Sequence, residues 1–325
     1  MISLLLTSCG STKDDVPTQT SGGSPQVDPN FFRSNPGGVT VYQRPPINPY
    51  ASQNYGNSLP AFRPQPQPAV LPVTEVQRGP NSNPPGCAAQ AMVLIDAKTG
   101  GILSARNMTS QRAVASTQKL LTALLVVERG NLNGRVTVTS ADTRVEPSKL
   151  YVKAGQTYTR RELLNALLVK SCNDVAQVLA RDHSGSISGF SASMNAKARQ
   201  LGARSSNFKN PHGLTVSGQY STAQDMARIS LAAYRDPTIR SIVRQKSYSF
   251  RFSTGARKTL TSTNKVLSRM PQCNGMKTGY TRAAGRCLVS SASYRGREVI
   301  LVQLGTKTTY LWNDAIAQMK WGLDM

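Results

Sequence analysis

Histidine is nearly missing from this chain: 325 residues contain two, His183 and His212. That is too few for a typical zinc hydrolase centre, so neither a metal nor any other cofactor is expected. No Gly-x-Ser-x-Gly elbow occurs, which argues against a Ser-His-Asp hydrolase. Acidic residues are scarce, 16 against 39 basic, for a formal charge of +23. Such a field attracts anionic polymers or surfaces. Nucleic acid is the poorer partner, because aromatics make up only 6% of the chain and neither zinc-finger spacing nor an RNP-like motif is present. No stretch is long and apolar enough to span a bilayer.

Proline is also rare beyond residue 85. Fifteen of the nineteen prolines lie in residues 1–85, leaving Pro147, Pro211, Pro237 and Pro271. The first segment is rich in Ser, Asn, Gln and Gly and has no apolar periodicity, so it cannot bury enough surface to offset its ordering entropy. Residues 10–87 therefore read as a tether and residues 88–325 as one catalytic-sized domain. Residues 1–87 hold five basic and four acidic residues, so +22 of the charge belongs to the domain.

The first nine residues end in Leu6-Thr7-Ser8-Cys9, which resembles the lipobox where bacterial lipoproteins are cleaved and acylated on cysteine. The apolar run is shorter than a usual signal core and no basic residue precedes it. The expectation is a lipidated Cys9, an exported protein in the periplasm or on the cell surface, and a membrane anchor from which the tether reaches roughly 250 Å when fully extended. The remaining cysteines, Cys87, Cys172, Cys273 and Cys287, allow up to two disulfides in three connectivities, or free thiols.

In chain order, Ala91–Asp96 and Ile102–Asn107 read as a hairpin around Ala97-Lys98-Thr99-Gly100-Gly101. A helix starts near Ser116, a short strand covers Val136–Thr139, and leucines at helical spacing run from Glu162 to Lys170. Helices are expected at 174–182, 188–201 and 222–234, with a loop at Asn210-Pro-His-Gly-Leu214. Strands follow at 248–252, 274–279, 287–293 and 298–304, then a helix at 312–322. The layout is α+β: an antiparallel sheet of about five strands, a large helical insert and flanking helices.

Chemistry concentrates at Ser116-Thr117-Gln118-Lys119, which runs into Leu120, Leu121, Ala123, Leu124, Leu125, Val126 and Val127. A serine hydroxyl needs a neighbour to take its proton, and a lysine three residues on returns to the same helix face. Burial of that helix would favour the neutral amine, the form that acts as a base. The pattern recurs at Ser206/Lys209 and Ser262/Lys265, so it means little alone. Specificity comes from order: Ser171-Cys172-Asn173 follows at the end of a helix, and Lys277-Thr278-Gly279 follows within a strand. A second Lys-Thr-Gly, at 98–100, sits in a hairpin turn ahead of the serine.

This ordered set, with Arg112–Lys119, Leu167–Asp174, Asn210–Leu214 and Gly275–Gly285, resembles the penicillin-recognising serine D-Ala-D-Ala carboxypeptidases. These are low-molecular-mass penicillin-binding proteins of peptidase family S11, in the β-lactamase/transpeptidase superfamily. The resemblance implies that fold, a peptidoglycan stem peptide ending in D-Ala-D-Ala as substrate, and acylation by β-lactams. It implies Ser116 as nucleophile, Lys119 as its base, Ser171 and Lys277 as the proton relay, and Asn173 as the group that holds Lys119 and binds the substrate amide. It further implies Thr278 on the terminal carboxylate, the N–H groups of Ser116 and Tyr280 as oxyanion donors, and Gly279 leaving room for the peptide. Two features depart from the pattern. An arginine after the last strand is replaced by Thr308-Thr-Tyr-Leu-Trp-Asn-Asp314, leaving Lys307 or Arg286 as substitutes, and Cys172 stands where a small residue is common. The alternatives are a D,D-endopeptidase using the same residues, a β-lactamase, and a non-catalytic cell-wall-binding lipoprotein. The β-lactamase reading lacks a deacylating glutamate, since residues 174–270 contain none.

Overall fold

A computed structural model describes residues 83–324; the expected lipid site Cys9 and almost all of the expected tether lie outside them. Five antiparallel strands form the main sheet in the order β2-β1-β9-β8-β7. They are β1 (Ala91–Asp96), β2 (Ile102–Arg106), β7 (Cys273–Thr281), β8 (Gly285–Tyr294) and β9 (Arg297–Thr306). Side chains alternate between two cores, as a period of two requires. Ala91, Val93, Ile95, Ile300 and Val302 face the larger core, and Met92, Leu94, Val299 and Leu301 face the smaller one. With both faces covered, β1 and the middle of β9 read as unbroken apolar runs rather than as alternation.

The smaller core is capped by α8 (Thr308–Gly322), through Leu311, Ala315 and Met319. The larger is filled by the insert, whose central helix α1 (Lys119–Arg129) is buried at every position from Lys119 to Val126. Around it pack α3 (Asn173–Ser184), α4 (Ile187–Gln200) and α5 (Ala223–Arg235). Two short strands, β3 (Arg135–Thr137) and β4 (Thr157–Thr159), lead into α2 (Arg160–Asn165). Thr159 and Glu162 cap α2 reciprocally, each side chain bonding the other's backbone N–H.

The structure adds to and revises these expectations. The strand expected at 248–252 is β5 (Ser247–Arg251), and it pairs outside the main sheet with β6 (Arg257–Thr261), which the sequence reading missed. In β6 only Leu260 is buried, so there was almost no apolar signal to read. Also missed were α6 (Pro237–Val243), opened by the Asp236 cap on Ile239 N–H, and the single-turn α7 (Val266–Arg269). Of the two readings left open for the cysteines, the structure shows the free thiols: Cys87, Cys172, Cys273 and Cys287 are all unpaired with one another. His183 is half-buried, edge-on to Phe190 at 5.2 Å between ring centroids.

Candidate active site

The expected nucleophile sits in a 3₁₀ turn, Ala115–Gln118, feeding straight into α1. Ala115 adopts φ 49°, a left-handed conformation that a residue with a Cβ holds only when its surroundings over-determine it. Here the determinant is the loop Asn210–Leu214. A Cβ on Gly213, whose φ is 88°, would overlap the Ala115 carbonyl, so the two backbones are in direct apposition. Gln118 Nε2 donates to the Asn210 carbonyl at 2.5 Å, and the Thr122 hydroxyl donates to that of Pro211 at 2.7 Å. Asn210 Oδ1 accepts from the backbone of Gly213 at 2.8 Å, closing the loop on itself.

That loop brings a backbone oxygen into the site that sequence reading had given no role. Lys119 Nζ lies 2.7 Å from each of Ser116 Oγ, Asn173 Oδ1 and the His212 carbonyl oxygen. The last two can only accept hydrogen bonds. A neutral amine has two N–H groups for them, which leaves its lone pair facing the Ser116 hydroxyl. If the amine is protonated, its third N–H takes that direction, and the Ser116 hydroxyl has the His212 carbonyl as acceptor at 3.1 Å. Lys119 is fully buried, and burial, then the charge of Lys277, hold its pKa well below the ordinary 10.5, against an opposing pull from Asp174. The geometry thus fits a resting base. The His212 ring takes no part as a cation, since burial and Lys119 push its pKa down to about 3.

The second group arrives from α2. Its end widens into a π turn, Ala166–Lys170, after which Ser171 takes φ 69° and α3 starts at Asn173. Asn173 is fixed twice more, its Nδ2 donating to the Glu146 carbonyl at 2.9 Å and its backbone N–H to that of Ser148 at 2.7 Å. Asp174 clamps the adjoining loop through the N–H groups of Leu150 and Tyr151. Between Ser171 and Asn173, Cys172 turns into the core, where burial and Asp174 push its thiol up to about 12. It remains a thiol and acts as packing.

The third group is on β7, the sheet edge. Lys277 is buried, and burial pushes its amine down to about 7; its Nζ donates to the Thr278 carbonyl at 2.9 Å. The Thr278 hydroxyl is 2.6 Å from that of Thr263. A Cβ on Gly279 would stand 2.9 Å from Ser116 N and 3.0 Å from Ala115 Cβ. Glycine is needed here to seat the strand against the nucleophile's turn, which adds a closer reason than room for a peptide. Tyr280 is half-exposed, and the Arg286 guanidinium lies 4.3 Å from its ring centroid while Nε donates to the Thr308 hydroxyl at 2.9 Å. Lys307 instead lines a 360 Å³ cavity with Arg112 and Arg282.

The competing motifs stay apart. The Ser206 hydroxyl is tied to Ser221 and Asp225, Ser262 accepts from Asn264 N–H within its own loop, and Lys98-Thr-Gly100 forms the β1–β2 turn.

A family model for D-alanyl-D-alanine carboxypeptidases, peptidase family S11, matches residues 79–308. The chain belongs to that family. Among carboxypeptidase relatives, DacB2 of Mycobacterium tuberculosis is 35% identical over 246 residues, 73% of this chain and 83% of that one. DacF of Bacillus subtilis is 31% identical over 236 residues, 71% of this chain but 61% of that one, so the chain spans less than two thirds of that relative. Among solved structures, the M. tuberculosis D-alanyl-D-alanine carboxypeptidase superposes with a TM-score of 0.72 at 34% identity, over 77% of this chain and 96% of that one. The Streptomyces K15 DD-transpeptidase gives 0.72 at 28% identity, over 75% and 100%. The carboxypeptidase family therefore carries the α+β architecture seen here.

Proposed function

We propose that the chain is a serine-type D-Ala-D-Ala carboxypeptidase that removes the terminal D-Ala from peptidoglycan stem peptides through an acyl-enzyme. The observation that supports this most directly is the 2.7 Å contact between a buried, depressed-pKa Lys119 amine and the Ser116 hydroxyl. Ser116 Oγ bonds to the carbonyl carbon between the two D-alanines as its proton passes to Lys119 Nζ. The carbonyl electrons move onto oxygen, which is met by the N–H groups of Ser116 and Tyr280, fixed dipoles aimed at the new charge. The C–N bond then breaks. The leaving amine takes a proton through the Ser171 hydroxyl, with Lys277 polarising the relay. Water attacks the ester and returns Ser116 to its hydroxyl form.

The substrate would lie as an added strand on the free edge of β7, its amide against Asn173. Thr278 binds its terminal carboxylate. Arg286, braced on Tyr280 and Thr308, supplies the cation that the stretch 308–314 lacks. A β-lactam presents the same carbonyl and is held as a stable ester on Ser116. We further propose that residues 88–325 form the catalytic domain and residues 10–87 a tether from a lipidated Cys9, which anchors an exported protein at a membrane. Among the described residues no helix is long and apolar enough to cross one.

The test is covalent labelling with a fluorescent penicillin, followed by incubation with pentapeptide and with cross-linked muropeptides and product identification by mass. Labelling that is absent from wild type, or that persists in Ser116→Ala, sinks the mechanism. Cleavage of cross-links in preference to pentapeptide replaces carboxypeptidase by endopeptidase.

A further inference from the structure

A cleft of about 410 Å³ opens at the end of the sheet remote from Tyr280, where the start of β7 and the end of β8 meet α5 and α6. Asn274 and Tyr280 are six residue steps apart on β7, roughly 20 Å along an extended strand. Arg235, Arg240 and Arg244 line the cleft together with Asn274 and Ser293. Among the described residues, no carboxylate forms an ion pair with any of the three arginines. Glu298, the acid beside the Tyr234 hydroxyl, is no exception.

The cleft is braced rather than merely basic. The Arg240 guanidinium carbon stands 4.4 Å from the Tyr234 ring centroid, and Arg235 donates to the Lys98 carbonyl at 3.4 Å. Asn274 is held from both ends of its amide. Its Nδ2 donates to the Tyr234 hydroxyl at 3.3 Å and to Ser293 Oγ at 3.2 Å, and its Oδ1 accepts from the Ser291 hydroxyl at 2.6 Å. Three guanidinium groups that line one concavity repel one another, an interaction that salt screens only in part over a Debye length of about 8 Å. An anion relieves that repulsion. Each guanidinium presents a planar fork of donors, the geometry that phosphate oxygens accept. A carboxylate brings one negative charge to three cations, whereas a phosphate monoester brings close to two.

We propose that this cleft is a binding site for a phosphate group, carried by a lipid headgroup or by a free phosphate or diphosphate. It is separate from the Ser116 site and independent of the peptidase reading. The test uses the full chain with Cys9→Ser, so that no lipid contributes. Inorganic phosphate and pyrophosphate are titrated by calorimetry, and cosedimentation is measured with vesicles of phosphatidylglycerol in phosphatidylcholine against phosphatidylcholine alone. At least one phosphate source is expected to bind, and Arg240→Gln/Arg244→Gln to weaken it tenfold or more. Arg240→Lys/Arg244→Lys, which keeps charge but loses the forks, should fall between. Binding to the vesicles alone assigns the headgroup, and binding of pyrophosphate alone the soluble ligand. Circular dichroism, read in parallel, shows that the variants are folded. The proposal is overturned if neither source binds, if the glutamine pair binds as wild type does, or if Arg257→Gln/Lys258→Gln on the β5–β6 hairpin weakens binding equally, which would leave net charge alone.

Discussion

The two ends of β7 use cations in opposite ways. At the Tyr280 end, Lys119 and Lys277 are buried, no carboxylate among the described residues is paired to either, and both amines are pushed toward neutrality. At the Asn274 end, Arg235 is half-buried and Arg240 and Arg244 are exposed. An ammonium titrates when burial removes its hydration, so it can become a base; a guanidinium keeps its charge and can only receive an anion. In the proposed readings, the same excess of positive charge serves proton transfer at one end and anion binding at the other.

Exchanging the chemistry at the buried end should have the largest effect. Lys119→Arg keeps a cation but removes the titratable amine, and penicillin acylation is expected to fall by roughly 10³-fold or more, in the upper range for loss of a general base. Labelling at the wild-type rate would break the contrast. Gly279→Ala tests position rather than charge. Its Cβ would stand 2.9 Å from Ser116 N, so the strand or the nucleophile must move, and acylation should drop about 10²-fold with all catalytic groups present. Arg286→Gln probes a half-buried guanidinium braced on Tyr280 and Thr308. KM for a D-Ala-D-Ala peptide should rise about tenfold, the size of one charge-assisted hydrogen bond, with kcat nearly unchanged.

Lys277→Met sharpens the contrast through stability. The folded-state pKa of Lys277 is about 7, against an ordinary 10.5, so between these values the unfolded chain binds more protons. Burying this lysine therefore costs most at and below about pH 7, and the cost is relieved as pH rises toward 10.5. The methionine variant should gain more Tm over wild type at pH 7 than at pH 10; an equal gain would mean the lysine is not desolvated. The smallest effect belongs to the far end, where Arg240→Gln/Arg244→Gln should leave penicillin labelling within about twofold of wild type, as expected for exposed residues with no part in the site.

The fold was legible wherever burial leaves a periodic trace. The β1–β2 hairpin, the helix behind Ser116 and strands β7 to β9 lie within a few residues of their expected limits, because each presents several apolar side chains to a core. The β5–β6 hairpin and α6 were not legible as they stand. The second strand of the hairpin buries one side chain, and α6, although it opens on an Asp236 cap and Pro237 and buries Ile239, Ile242 and Val243 at helical spacing, is only seven residues long, too short to repeat that period.

In the candidate site, residue types and their order were legible, and one contact was not. The His212 carbonyl that meets both Lys119 and Ser116 is a backbone atom, and no side-chain motif records where a carbonyl points. The only available sign was the Asn-Pro-His-Gly run, whose glycine is required by a positive φ and by the Ala115 backbone against it.

Sequence by itself determined the chemistry on offer: a serine and a lysine one helical turn apart, an apolar helix to bury them, and two further motifs in a set order. Tertiary structure alone decided that the Ser116/Lys119 pair also meets the His212 carbonyl oxygen, and how far the lysine pKa values fall. It also decided that arginines five and four residues apart line one cleft instead of dispersing over the surface. The reason is common to all three: they depend on distances between elements remote along the chain and on exclusion of water, and neither is encoded in local spacing.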